Sequence, residues 1–238
     1  MRVKSFNLFL SESDEGERTY SFDELSPEAK KKALENNRDI NIAHTGWEDT
    51  TIDDFEEEVK EDGINDLEVT YTGFHSQGDG ASFTSNDIDT RKLFNAVGIK
   101  SDDHLDMETP EEENSRISQN KELYDIFNDL KTLGVAKEFR NRIKPEDIRV
   151  TIERINSRYY HENTVRANVE IWDEPDGWEE PPNFTSELED KITDYIRGLC
   201  RKLYRYLEED YEYQTSDEAV QETIEANNWE FDERGNIV

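Results

Sequence analysis

Cysteine is nearly missing from this sequence: Cys200 is the only one in 238 residues. That excludes an internal disulfide and any zinc site built on several thiolates. With Ile196, Leu199 and Leu203 around it, Cys200 reads as a small buried hydrophobe rather than a nucleophile. Cations are scarce as well. Twenty-eight Lys and Arg stand against 59 Asp and Glu, a net charge of −31. Phosphates would be repelled and few positive groups are present to release counterions, so direct binding to nucleic acid or to an anionic membrane is disfavoured. A basic partner is favoured instead. Self-repulsion on this scale destabilises a compact chain and so calls for a reason. Adaptation to high salt is the plain one, and the 13 lysines and the excess of Glu over Asp speak against it. No stretch reaches the roughly 18 apolar residues of a membrane span, and Met1 to Phe6 open no apolar signal region, so a soluble cytosolic protein is expected. The four histidines, at 44, 75, 104 and 161, show no i,i+4 pairing and no His-Glu-x-x-His arrangement. No metal, no cofactor and no catalytic constellation is therefore expected, and the chain leans away from being an enzyme.

Aromatics, by contrast, are plentiful: 11 Phe, 10 Tyr and 4 Trp accompany only 33% hydrophobic residues. Disordered chains are poor in aromatics, so the composition describes a folded protein with a compact core and a heavily charged surface. The expected organisation is a single domain over 1–238 with a flexible acidic loop at about 101–118. Residues 2–10 read as an opening strand. Ser26 as N-cap and Pro27 in the first turn start a helix expected to run to the low forties. A second helix is expected over about 48–62, with Ile52, Phe55 and Val59 as its apolar stripe. A strand over 67–72, a Gly-rich turn, a helix near 86–97 and a helix over about 119–142 follow. Alternation at Ile148, Val150, Ile152 and then Val165, Ala167, Val169, Ile171 gives an antiparallel pair. Ser186 with Glu189 starts the longest helix, about 186–212, which should pack across the sheet. Thr215 with Glu218 repeats the pattern before a short helix, and Trp229-Glu230-Phe231 forms a terminal strand. Strands and helices in this order, without regular βαβ units, give an α+β fold with an antiparallel or mixed sheet covered by helices.

Several stretches resemble a known family. They are Phe22-Asp23-Glu24-Leu25-Ser26-Pro27-Glu28-Ala29-Lys30, Gly73-Phe74 with Ser76 through Phe83, Tyr159 through Val165, Tyr211-Glu212-Tyr213 with Thr215 through Val220, and Ile224-Glu225-Ala226-Asn227. Together they are similar to a family of proteins encoded by bacteriophages and prophages, some members of which carry the label of antitoxins of a toxin–antitoxin stability system. The resemblance spans most of the chain and implies a phage protein acting in the cytoplasm of an infected bacterium. It brings no catalytic residues. The acidic stretch 101–113 departs from the family's pattern.

Two places are candidates for function. On the helix at 48–62, like charges recur at i,i+4, and each such pair costs about 0.2–0.5 kcal/mol. A solvated structural helix normally mixes signs. Asp49, Asp53, Glu56, Glu57 and Glu61 are the candidate partner-binding residues. Carboxylates on successive turns lie about 5–6 Å apart and can imitate a phosphate backbone. The leading reading is an acidic inhibitor that occupies the nucleic-acid-binding cleft of a basic bacterial protein of defence or transcription. The second candidate is the Gly-rich turn, where His75, Ser76, Gln77, Gly78, Asp79, Gly80 and Ser82 would bind a small polar or nucleotide ligand. Its plain alternative is a structural turn whose Asp79 bonds to local backbone. An antitoxin neutralising a toxin is a third reading and shares the basic partner of the first.

Overall fold

The computed structural model describes residues 18–43, 46–99, 145–155, 158–172 and 184–238. The strand expected over 2–10, the acidic loop at 101–118, the helix expected over 119–142, and His44 and His104 lie outside these residues. The fold is α+β. In chain order its elements are β1 (Tyr20–Ser21), α1 (Pro27–Asn36), α2 (Asp49–Glu61), β2 (Ile64–Asn65), β3 (Glu68–Tyr71), β4 (Ala81–Thr84), β5 (Asp87–Ile88), α3 (Thr90–Val97), β6 (Ile148–Arg154), β7 (Val165–Ile171), α4 (Phe184–Gln214), α5 (Asp217–Ala226) and β8 (Glu230–Phe231). No helix among the described residues is long and apolar enough to cross a membrane. The chain divides into two compact units, Met1–Trp47 with Asp210–Val238, and Glu48–Glu209. The sequence reading counts one domain, where contacts within the chain group into two units.

In the first unit β1 pairs antiparallel with β8, Tyr20 opposite Phe231. Phe22, Leu25, Ala29, Ala33, Val220, Ile224 and Phe231 form its core. The Ser26 hydroxyl accepts from the Ala29 N–H at 3.2 Å and Pro27 opens α1, as expected of these residue types. The helix stops at Asn36, well short of the low forties. The Asn37 side-chain amide donates to the Ala33 carbonyl at 2.7 Å, so a side chain takes a carbonyl of the last helical turn. The cap of α5 is Ser216, whose hydroxyl accepts from the Ala219 N–H, and Thr215 instead donates its hydroxyl back to the Tyr211 carbonyl. Both residues are good caps by type, and the last turn of α4 claims the first of them.

The second unit is built on antiparallel pairs. β3 pairs with β4, β2 with β5, and β6 with β7 in full register from Ile148–Ile171 to Arg154–Val165. A two-way backbone bridge between Ser85 and Ile152 joins the β3–β4 hairpin to β6. The long helix α4 packs on these strands. Leu188, Ile192, Ile196, Leu199, Leu203 and Leu207 recur every three or four residues and are buried, giving one continuous apolar stripe. Its polar side chains also serve the sheet, because the Ala167 N–H donates to Thr193 Oγ1 at 2.9 Å and the Val169 N–H to Glu189 Oε1 at 3.2 Å. The outer edge of β7 is thus covered rather than left open to pairing. Cys200 is fully buried, and burial pushes its thiol up to about 12. The helix expected near 86–97 is shorter: residues 87–88 pair as β5, and the Asp89 side chain then caps α3 by accepting from the Lys92 N–H.

Candidate functional site

Helix α2 exists because Ile52, Phe55 and Val59 recur on one face, with Phe55 and Val59 fully buried. That fixes where its acids point. On the rear side Glu58 is engaged by Lys202 and by the Tyr206 hydroxyl, and the Tyr195 hydroxyl donates to Asp62 Oδ2 at 2.7 Å. Burial, followed by the Asp62 carboxylate it donates to, raises the Tyr195 phenol. The Glu58 carboxylate holds Lys202 in its charged form, raising its ammonium above the ordinary lysine value. These contacts clamp α2 onto α4.

The outer side is different. Asp49, Asp53 and Glu57 are exposed, and Glu56 is half-buried among them. Glu57 is bridged by Lys60 at 3.0 Å. The Glu56 carboxyl is raised above its ordinary value, first by partial burial and then by the carboxylates of Asp53, Asp66 and Glu57, with Lys60 acting the other way. Like charges are therefore held together on this face. Asp66 is a member that helical spacing does not reveal. It enters from the turn between β2 and β3 with φ of 47°, a left-handed conformation that Asp tolerates better than most residues. Glu61 is exposed too, one turn past Glu57 at i+4 and on the far end of the row from Asp49.

The Gly-rich stretch forms the connection between β3 and β4. Asp79 Oδ2 accepts from the backbone N–H of His75 at 3.1 Å and of Ser76 at 2.7 Å. The Thr72 N–H donates to the Gly80 carbonyl, and the Gly80 N–H returns to the Thr72 hydroxyl. Gly80 is required, since a Cβ there would stand 2.4 Å from the Cβ of His161. Ser82 is fully buried and shares a hydrogen bond with the Thr70 hydroxyl, which in turn accepts from Arg154. Phe74 is held between Tyr71 and Tyr204, and the Tyr204 hydroxyl donates to the Gly73 carbonyl. The seven candidate residues therefore split. His75, Ser76, Gln77 and Gly78 are exposed at the tip, while Asp79 is turned into its own loop and Gly80 and Ser82 are buried. His161 is a turn residue, its Nδ1 accepting from the Asn163 N–H.

Among the described residues no group of three or more His, Cys, Asp and Glu is arranged to hold a metal ion. Two of the basic residues of α4 pair internally: Lys202 engages Glu58, and Arg197 lies 3.8 Å from Asp194. A family model described as a domain of unknown function, DUF8835, matches residues 47–217. Neither a curated protein nor a solved structure matches the chain.

Proposed function

The chain belongs to the DUF8835 family, and within the matched span we propose that the outer face of α2 is the functional surface, a rigid row of carboxylates that binds the nucleic-acid cleft of a basic bacterial protein. Asp49, Asp53, Glu56 and Glu57, joined by Asp66, are the contacting groups. The observation that carries this reading is geometric: Asp49, Asp53 and Glu57 stand exposed around half-buried Glu56 on a helix that Lys202 and Tyr195 anchor from behind, and the Glu56 carboxyl is raised first by partial burial and then by its acidic neighbours. A cationic groove is electrostatically complementary to such a face. Electrostatic steering makes association fast at low salt. With the resemblance to phage and prophage proteins, the setting is the cytoplasm of an infected bacterium and the target a restriction, CRISPR or transcription component.

The Gly-rich loop supports a ligand site less well, since the one acid it contains is already bonded to local N–H groups. The test is affinity capture from a bacterial lysate with the wild-type chain and with the fourfold variant Asp49→Lys, Asp53→Lys, Glu56→Lys, Glu57→Lys, with circular dichroism confirming that the variant is folded. The wild type should retain a nucleic-acid-handling protein that salt or duplex DNA releases, and the variant should retain none. Equal capture by a folded variant would exclude this surface.

A further inference from the structure

A groove of ≈ 430 Å³ opens in the second unit between the start of α3 and the ends of β6 and β7. Its volume lies within the range of about 300–1,000 Å³ typical of small-molecule sites. Ile88, Pro145 and Ile148 contribute its apolar lining. Trp172 stands on its rim with 65% of its surface exposed. The indole is not loose: its Nε1–H donates to the Glu146 carbonyl at 2.9 Å and its backbone N–H to the Asp147 carbonyl at 3.0 Å. A large flat ring is thereby fixed by its polar edge while much of its surface is left to solvent.

The charges of the groove are equally specific. Glu146 is bridged by Arg91 at 2.6 Å, and the Asp89 carboxylate is occupied as the cap of α3. Arg149 also lines the groove. It is exposed and makes no hydrogen bond or ion pair among the described residues, although its ladder partner is Glu170. In a chain with twice as many acids as bases, an uncommitted guanidinium beside a pinned, exposed tryptophan is a cation kept available. The guanidinium presents a rigid fork of donors suited to phosphate, and the indole offers a face on which a heterocycle stacks.

We propose that this groove binds a small flat anion of the nucleoside monophosphate class, its base stacked on Trp172 and its phosphate held by Arg149. The site is separate from the outer face of α2 and stands or falls independently of it. The test is calorimetric titration of the full chain with adenosine and uridine 5′-monophosphates, alongside adenosine and inorganic phosphate alone. Arg149→Gln alters an exposed side chain that makes no bond among the described residues and should leave the melting temperature unchanged, whereas Trp172→Ala gives up the bond to the Glu146 carbonyl and is checked for folding by circular dichroism. A saturable 1:1 isotherm with at least one mononucleotide is expected, weakened about tenfold or more by either substitution. Adenosine should retain the dependence on Trp172 and lose that on Arg149. Absence of saturation with both mononucleotides would overturn the proposal, and so would wild-type affinity in both variants.

Discussion

Gly80 shows most directly how a single residue shapes the loop. The turn from β3 to β4 is closed by Asp79 accepting two N–H groups, and Gly80 then passes so close to His161 that a methyl group has no room. Gly78, two residues earlier, has φ of 100° and nothing within 4 Å of the position a Cβ would take. Gly80→Ala should therefore cost more than Gly78→Ala. The first forces backbone to move, at the upper end of the ~1–3 kcal/mol range for overpacking. The second bears only the strain of a left-handed side chain, about 1–2 kcal/mol. Thermal denaturation separates them at about 2–4 °C per kcal/mol for a chain of this size. Equal melting temperatures would mean that the loop swings freely away from His161.

At the scale of the element, α2 trades stability for a charged face. Glu56 is the residue where that trade can be measured. Its folded carboxyl is raised above the ordinary 4.5, so its contribution to stability is fully present below that value and is lost as pH rises through the raised one. Glu56→Gln should accordingly stabilise the protein near neutral pH. The gain is a few tenths of a kcal/mol, since each like-charge helical pair is worth about 0.2–0.5 kcal/mol and exposure weakens it further. The difference should close once the pH falls below 4.5, where wild type and variant are both neutral at this position. Urea denaturation at the two pH values reads it directly. A variant that is less stable at neutral pH would show that Glu56 is held by a favourable contact instead.

At the scale of the whole molecule, the net charge of −31 acts through screening. The Debye length falls from about 10 Å at 0.1 M salt to about 3 Å at 1 M, so self-repulsion fades over that interval. The melting temperature should rise with sodium chloride over the same interval in which capture of a basic partner weakens. The two opposite slopes share one cause, and differential scanning fluorimetry with parallel binding measurements tests both. A melting temperature indifferent to salt would place the surplus carboxylates too far apart to repel.

The sequence by itself determined the α+β class, the apolar stripes of α2 and α4, the β6–β7 pair and the cap at Ser26, because each follows from side-chain period or from chemistry within three or four residues. It also determined that α2 carries like charges at helical spacing. Only the tertiary structure decided which of those charges act together. Lys202 and Tyr195 engage Glu58 and Asp62 from α4, and Asp66 joins Glu56 from a separate turn. The same holds for Gly80, whose role depends on a histidine that local spacing does not bring near. Periodicity assigns a residue to a face, whereas the neighbour that neutralises, repels or blocks it comes from a distant part of the chain and is placed only by packing.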